Sequence, residues 1–295
     1  MEGIITLIVS GAANGFVYSL IALGFVMIYK SSRVMNLAQG EMTILGAYLY
    51  YAISVQIGLP PVIAIVGAAI LVAAVGFGVQ QFVLRPVLGQ SILALVMLTL
   101  AVGGLLRGIM QLIWGSDWMS PPQLVDAGQG ISIGSGFVSF AHLVFIVVAL
   151  ALIGVLSAFY QGTKTGLSMR VVADDTVVGS CLGINVNRSL SICWALAGIA
   201  AGVSGILLSN LIGISYSMIE IGLKAYAIVV IGGLESLGGL IIVGPILGIV
   251  EFLGRTYVDP LTGGGFGDLV PWIALMVFLL TMPYGLFGWK RIERV

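Results

Sequence analysis

The chain has 295 residues, of which 59% are hydrophobic and only 8% charged, against roughly 25% charged in an ordinary soluble domain. That composition excludes a water-soluble monomer, and no polar stretch is large enough to be a second domain. Twelve basic and twelve acidic residues cancel to a net charge of zero, which leaves no basic footprint for a nucleic acid.

Apolar runs of about 20 residues, the length that crosses a bilayer, recur along the chain. They are Ile4–Tyr29, Met35–Ser54, Pro61–Leu84, Ser91–Trp114, Phe137–Tyr160, Ser189–Leu211, Ile212–Gly233, Leu237–Gly254 and Leu269–Gly288. The first is too long, and its flank too free of basic residues, for a cleaved signal peptide. These segments predict an all-α, polytopic membrane helix bundle of eight to nine spans, forming one transmembrane domain over 1–295. The Gly-rich GGLESLGG at Gly232–Gly239 makes one element between Ile212 and Gly254 a candidate re-entrant segment, and RVMNLAQGEM at Arg33–Met42 a candidate break, with Asn36 as helix cap and Gln39 reciprocating. Glycines spaced as Gly198, Gly202 and Gly205, or Gly239, Gly244 and Gly248, predict close helix packing.

With the amino terminus outside, Lys30, Arg33, Arg85, Lys164, Arg170, Arg188, Lys290, Arg291 and Arg294 all fall on the cytosolic side, as the positive-inside rule requires. The acidic loops Ser116–Gly136 and Thr256–Asp268 then face outward.

Some polar residues inside the spans are candidates for a translocation path. Asn14 and Tyr18, with Ser19, form one polar stripe, which interhelical hydrogen bonds explain equally well. Gln39 and Glu41, beside Asn36, either meet a solute or motor subunit or simply start a helix. Glu220 and Lys224 are four apart and are expected to share a helix face, as part of the path or as a pair locking two spans. Glu251 and Arg255 repeat that spacing and are expected to form an exposed pair of small energy. Arg107 is expected to snorkel to the outer interface. The single histidine, His142, reads as a packing residue, and Cys181 and Cys193 as small buried thiols. No phosphate-binding loop is present, and no nucleophile stands beside a base. The chain is expected not to be an enzyme and to bind no metal or cofactor itself.

The polar loop 161–188 stands apart. It predicts two short helices, Leu167–Ala173 and Thr176–Leu182, with Asp175 capping the second. Met169, Val172 and Ala173 make a small apolar knob, and Val177, Val178, Cys181 and Leu182 a second apolar face. Such faces suit a cytosolic protein groove or fold back onto the membrane domain.

The runs GFVYSLIALGFVMIYKSSRVMNLAQGEMTILGAY, GLSMRVVADDTVVGSCLGINVNR and GLKAYAIVVIGGLESLGGLIIVGPILGIVE strongly resemble the permease subunits of branched-chain amino-acid ABC importers, from about Ile4 to Gly288. The resemblance implies a bacterial inner-membrane half-permease, in contact with membrane lipid. Its partners would be a second related permease, two ABC ATPase subunits that use ATP and Mg, and a periplasmic solute-binding protein docking on the outer loops. It implies that Gly166, Met169, Arg170, Ala173, Asp175, Gly183, Ile184 and Asn185 belong to the segment coupled to the ATPase. Val171 and Gly179 depart from the alanines usual there, and Gly179 is expected to bend or shorten the second helix. The same family serves urea, short-chain amides and carboxylates, so these remain alternative solutes. An ion-coupled carrier titrating Glu220 is the rival mechanism.

Overall fold

A computed structural model describes residues 3–87, 89–126, 128–133, 136–282 and 285–287. Six helices are long and apolar enough to span a membrane: Ile4–Ser32, Pro61–Val87, Ile92–Trp114, Phe140–Gly162, Val186–Ile212 and Leu237–Tyr257. We name them with their shorter neighbours in chain order: α1 (Ile4–Ser32), α2 (Gln39–Tyr51), α3 (Pro61–Gly78), α4 (Ile92–Trp114), α5 (Phe140–Gly162), α6 (Lys164–Asp174), α7 (Thr176–Cys181), α8 (Val186–Ile212), α9 (Ser217–Gly232), α10 (Leu237–Tyr257), α11 (Asp259–Thr262) and α12 (Phe266–Thr281). α2 and α3 each continue in a wider π-type turn, at Ala52–Gln56 and Val79–Leu84. The predicted ends Lys290, Arg291 and Arg294, and Gly288 of the last segment, lie outside the described residues.

Side chains start six of these twelve helices, Asp175 as predicted. Ser91, Ser139, Thr163, Asp175, Asn185 and Ser236 each accept a hydrogen bond from a first-turn N–H of the helix that follows, which satisfies donors that lipid cannot. Ser139 moves the start of the fifth span to Phe140. The four residues before it instead pair as β2 (Gly136–Ser139) with β1 (Gly130–Ile133), an antiparallel hairpin with Ile131 opposite Val138. This hairpin is the one sheet among the described residues of an otherwise helical chain.

α8 is the most enclosed of the six, lying against α1, α2 and α3. The predicted glycine rows carry that packing. A Cβ on Gly198 would sit 2.6 Å from the Val72 carbonyl oxygen of α3, and one on Gly202 3.3 Å from the Val72 side chain. Gly244 and Gly248 of α10 meet α1 backbone to backbone, with a Cβ on Gly248 only 2.7 Å from Gly15 Cα. Where lipid supplies no hydrophobic drive, such approaches let dispersion act over the whole helix length.

The two ends differ chemically. Arg33 pairs with Glu235, Lys30 and Arg170 lie over the Tyr160 ring at 5.2 and 6.0 Å, and Arg85 and Arg188 line one cavity. At the opposite end Met119 and Ile214 exchange backbone hydrogen bonds of 3.1 and 2.8 Å, tying the hairpin loop to the α8–α9 turn. There Gly263, Gly264 and Gly265 take successive positive φ values of 85°, 107° and 87°, a turn open only to residues without a Cβ.

Candidate functional site

Three places gather the polar residues singled out from the sequence. At the basic end, α6 and α7 form a small platform. α6 is anchored: Met169 and Val172 are fully buried, and a Cβ on Gly166 would collide with the carbonyls closing α5. The knob of the first helix therefore folds back onto the membrane domain. Arg170 is half-buried over Tyr160, which leaves its aliphatic stem as packing. α7 does the opposite. Asp175 Oδ1 accepts from Val177 N at 2.7 Å and Val178 N at 3.1 Å, and Val177, Val178 and Leu182 then stand 69%, 50% and 68% exposed. Gly179, expected to bend this helix, instead faces α6, where a Cβ would press on Val172 at 3.3 Å. Gly183 turns the chain at φ 77° and Asn185 caps α8, with Ile184 between them half-buried and Ala173 likewise. Cys181 is exposed, contrary to its reading as a buried thiol, whereas Cys193 is buried and hydrogen-bonded to Met27 O at 3.0 Å.

Toward the opposite end lies a cavity of about 420 Å³ whose lining includes Asn14, Tyr18, His142, Glu220, Lys224 and Asp268. Four residues proposed for a path thus meet in one space, together with His142, which was expected only to pack. The expected Glu220–Lys224 pair is absent from the ion pairs of the described residues. The Lys224 ammonium instead reaches Glu251 at 2.8 Å on α10 and Asp268 at 2.6 Å on α12, and Arg255 reaches the same two carboxylates at 2.8 and 2.7 Å. Two cations alternating with two anions compensate each other better than one pair on a helix face. The Glu251–Arg255 pair forms as spaced, but Glu251 is buried at 2%, so it is not the exposed pair expected. Glu220 remains exposed at the cavity wall.

The third place is at depth. α1 ends at Ser32, and α2 begins only at Gln39, inside the bundle: Thr99 of α4, about 10 Å of helix from Ile92, donates to Met35 O at 3.2 Å and accepts from Leu37 N at 3.1 Å. Asn36 Oδ1 accepts from Ala38 N, and Asn36 Nδ2 donates to Gln39 Oε1 at 3.1 Å. The predicted capping box does not form: the Asn36 and Gln39 side chains bond each other, ahead of a helix whose cap residue is Ala38, which has no polar side chain to offer. Gln39 Nε2 reaches Ala197 O at 3.5 Å. One turn on, Glu41 accepts from Arg107 at 3.0 Å, with the carboxylate side chain 9% and the arginine side chain 47% exposed. Arg107 therefore does not snorkel outward. Its Cα is about 10 Å of helix from the outer end at Trp114 and its side chain turns back toward Glu41, itself about 22 Å of helix from Gln56. An arginine at that depth facing lipid would cost about 2.5–3.5 kcal/mol, which pairing with Glu41 offsets. Sequence spacing could not find this pair, because its members are on different helices.

Among the described residues no group of three or more His, Cys, Asp or Glu gathers as metal ligands. The arrangement offers charge-lined spaces and an exposed apolar helix face.

A family model described as "Branched-chain amino acid transport system / permease component" matches residues 7–283. The chain is 29% identical to the high-affinity branched-chain amino acid transport system permease protein LivH of Escherichia coli K12, over 97% of this chain and 96% of that protein. It is 30% identical to the probable branched-chain amino acid transport permease protein LivH of Methanocaldococcus jannaschii, over 94% and 90%. The autoinducer 2 import system permease protein LsrC of Klebsiella pneumoniae is 33% identical over 58% of this chain and 47% of that protein.

Proposed function

The chain belongs to the branched-chain amino acid transport permease family, and on that premise we propose that it carries branched-chain amino acids as one permease half of an ATP-driven importer. It is a multi-pass protein of the inner membrane. A second related permease completes the path, two ATPase subunits supply ATP hydrolysis with Mg, and a periplasmic binding protein delivers the solute to the loops at 116–136 and 256–268. The observation that carries this reading is the platform at the basic end. α7 presents Val177, Val178 and Leu182 to the cytosol on a base whose own apolar residues are buried, which is how an element transmits force: rigid below, adhesive above.

In this reading Gly166, Met169, Asp175, Gly183 and Asn185 shape the platform, while Arg170, Ala173 and Ile184 flank it. ATP binding closes the ATPase dimer, the platform moves with it, and the bundle opens toward the binding protein; hydrolysis resets it. The four-member charge cluster and Glu220 line the outer part of the solute's way.

The test is reconstitution. The tagged chain, purified from its native membrane with its partners and placed in liposomes with the binding protein, is expected to take up leucine only with ATP. Uptake of leucine without ATP, following a proton gradient and lost in Glu220→Gln, would instead establish an ion-coupled carrier. ATP-driven uptake of an amide or carboxylate in place of leucine would keep the importer and change its solute.

A further inference from the structure

We propose that Glu41 and Arg107 form a station for amino-acid zwitterions near the middle of the membrane, completed by the second permease where it covers α4; this rests on the importer reading above. Four observations converge on the place. The chain is unwound from Arg33, at the basic end, to Ala38, inside the bundle, and irregular backbone inside a membrane is stable where it lines protein or a cavity; broken helices near the midplane build binding sites. The ion pair stands in the first turn of that half-helix. Beside it lies a cavity of about 130 Å³ walled by Glu41, Arg107, Phe25, Ile219 and Leu223, with Gly40 and Gly222 touching at its base. α4, which contributes Arg107, is the least covered of the six long spans, 22% buried against 78% for α8, although it alone among them carries a half-exposed arginine in its interior.

A helix that exposes an arginine at this depth requires a protein neighbour, and Leu100 and Leu223, 55% and 43% exposed beside the cavity, provide the surrounding apolar contact. The cavity then opens between two permeases. The chemistry fits one ligand class. A zwitterion's carboxylate takes the guanidinium of Arg107 in a two-pronged bond, and its ammonium takes Glu41. The resident pair is exchanged for two equivalent pairs, so no charge is left uncompensated at any moment. An aliphatic side chain rests on Phe25, Ile219 and Leu223. Anions and cations lacking the opposite charge leave one partner bare.

The experiment uses the complete importer in liposomes. In the double variant Glu41→Gln/Arg107→Gln both charges go together, which a purely structural pair tolerates. Expected are normal co-purification with the partner subunits, ATP hydrolysis still stimulated by the loaded binding protein, and leucine uptake reduced at least tenfold. Uptake within twofold of wild type would overturn the proposal. A second measurement does not depend on that variant assembling: in Leu223→Cys made in a Cys181→Ser background, which removes the other exposed thiol, alkylation of the new thiol by a bulky maleimide is expected to block uptake, and leucine in turnover to slow the alkylation. Alkylation that proceeds without blocking uptake and without protection overturns the site. Wild-type liposomes that fail to transport leucine with ATP would refute the importer reading itself, a separate outcome read before any variant.

Discussion

Lys224 shows what burial does to a charge. Its ammonium is 7% exposed and held by two carboxylates from two other helices. Removing one member of a buried cluster leaves the rest uncompensated, which costs about 3–5 kcal/mol. Glu251→Gln is therefore expected to lower the unfolding free energy of the detergent-solubilised chain by about that much. Glu220→Gln, four residues from Lys224 but outside the cluster, is expected to change it by less than about 0.5 kcal/mol. Equal losses in the two variants would mean that the same-helix pair is the one that forms. The cysteines divide in the same way: in the detergent-solubilised chain a maleimide is expected to label Cys181 and to spare Cys193 until the protein is unfolded.

At the scale of elements, α6 and α7 are both short helices with an apolar face but have opposite fates. Met169→Glu places a charge in a fully buried position on α6 and is expected to cost several kcal/mol and much of the folded yield. Val178→Glu, on the exposed face of α7, is expected to leave the thermal midpoint of the isolated chain within about 2 °C while abolishing co-purification of ATPase. A destabilised Val178→Glu chain would show that α7 packs on the membrane domain instead. The α1–α10 seam makes the same argument for packing. Gly248 has α1 backbone 2.7 Å from where a Cβ would be, so Gly248→Leu is expected to separate the two helices and prevent accumulation of folded protein, a loss visible as aggregation in size-exclusion chromatography.

For the whole molecule the distribution of charge sets the orientation. Lys30, Arg33, Arg85, Arg170 and Arg188 come together at one end, as expected for the cytosolic side. In cells making the chain without ATPase subunits, an impermeant thiol reagent is therefore expected to reach Cys181 in inside-out vesicles and not in intact spheroplasts. Labelling from the periplasm would invert the bundle and remove the platform from any ATPase. The uneven covering of the helices belongs to this scale too: α8 lies inside the chain, 78% buried, whereas α4 is 22% buried.

What the sequence determined by itself follows from local rules. Apolar length located the spans, small-residue rows located the close helix contacts, and Asp175 began α7, because caps and spacing act within one or two turns. Asp175 and the exposed face behind it were legible for that reason. The tertiary structure alone decided which charges meet. Lys224 chose Glu251 and Asp268 over Glu220, and Arg107 turned inward to Glu41. In a low-dielectric bundle the partner that best compensates a buried charge is the nearest in space, and nearness between helices is set by packing that no residue spacing records.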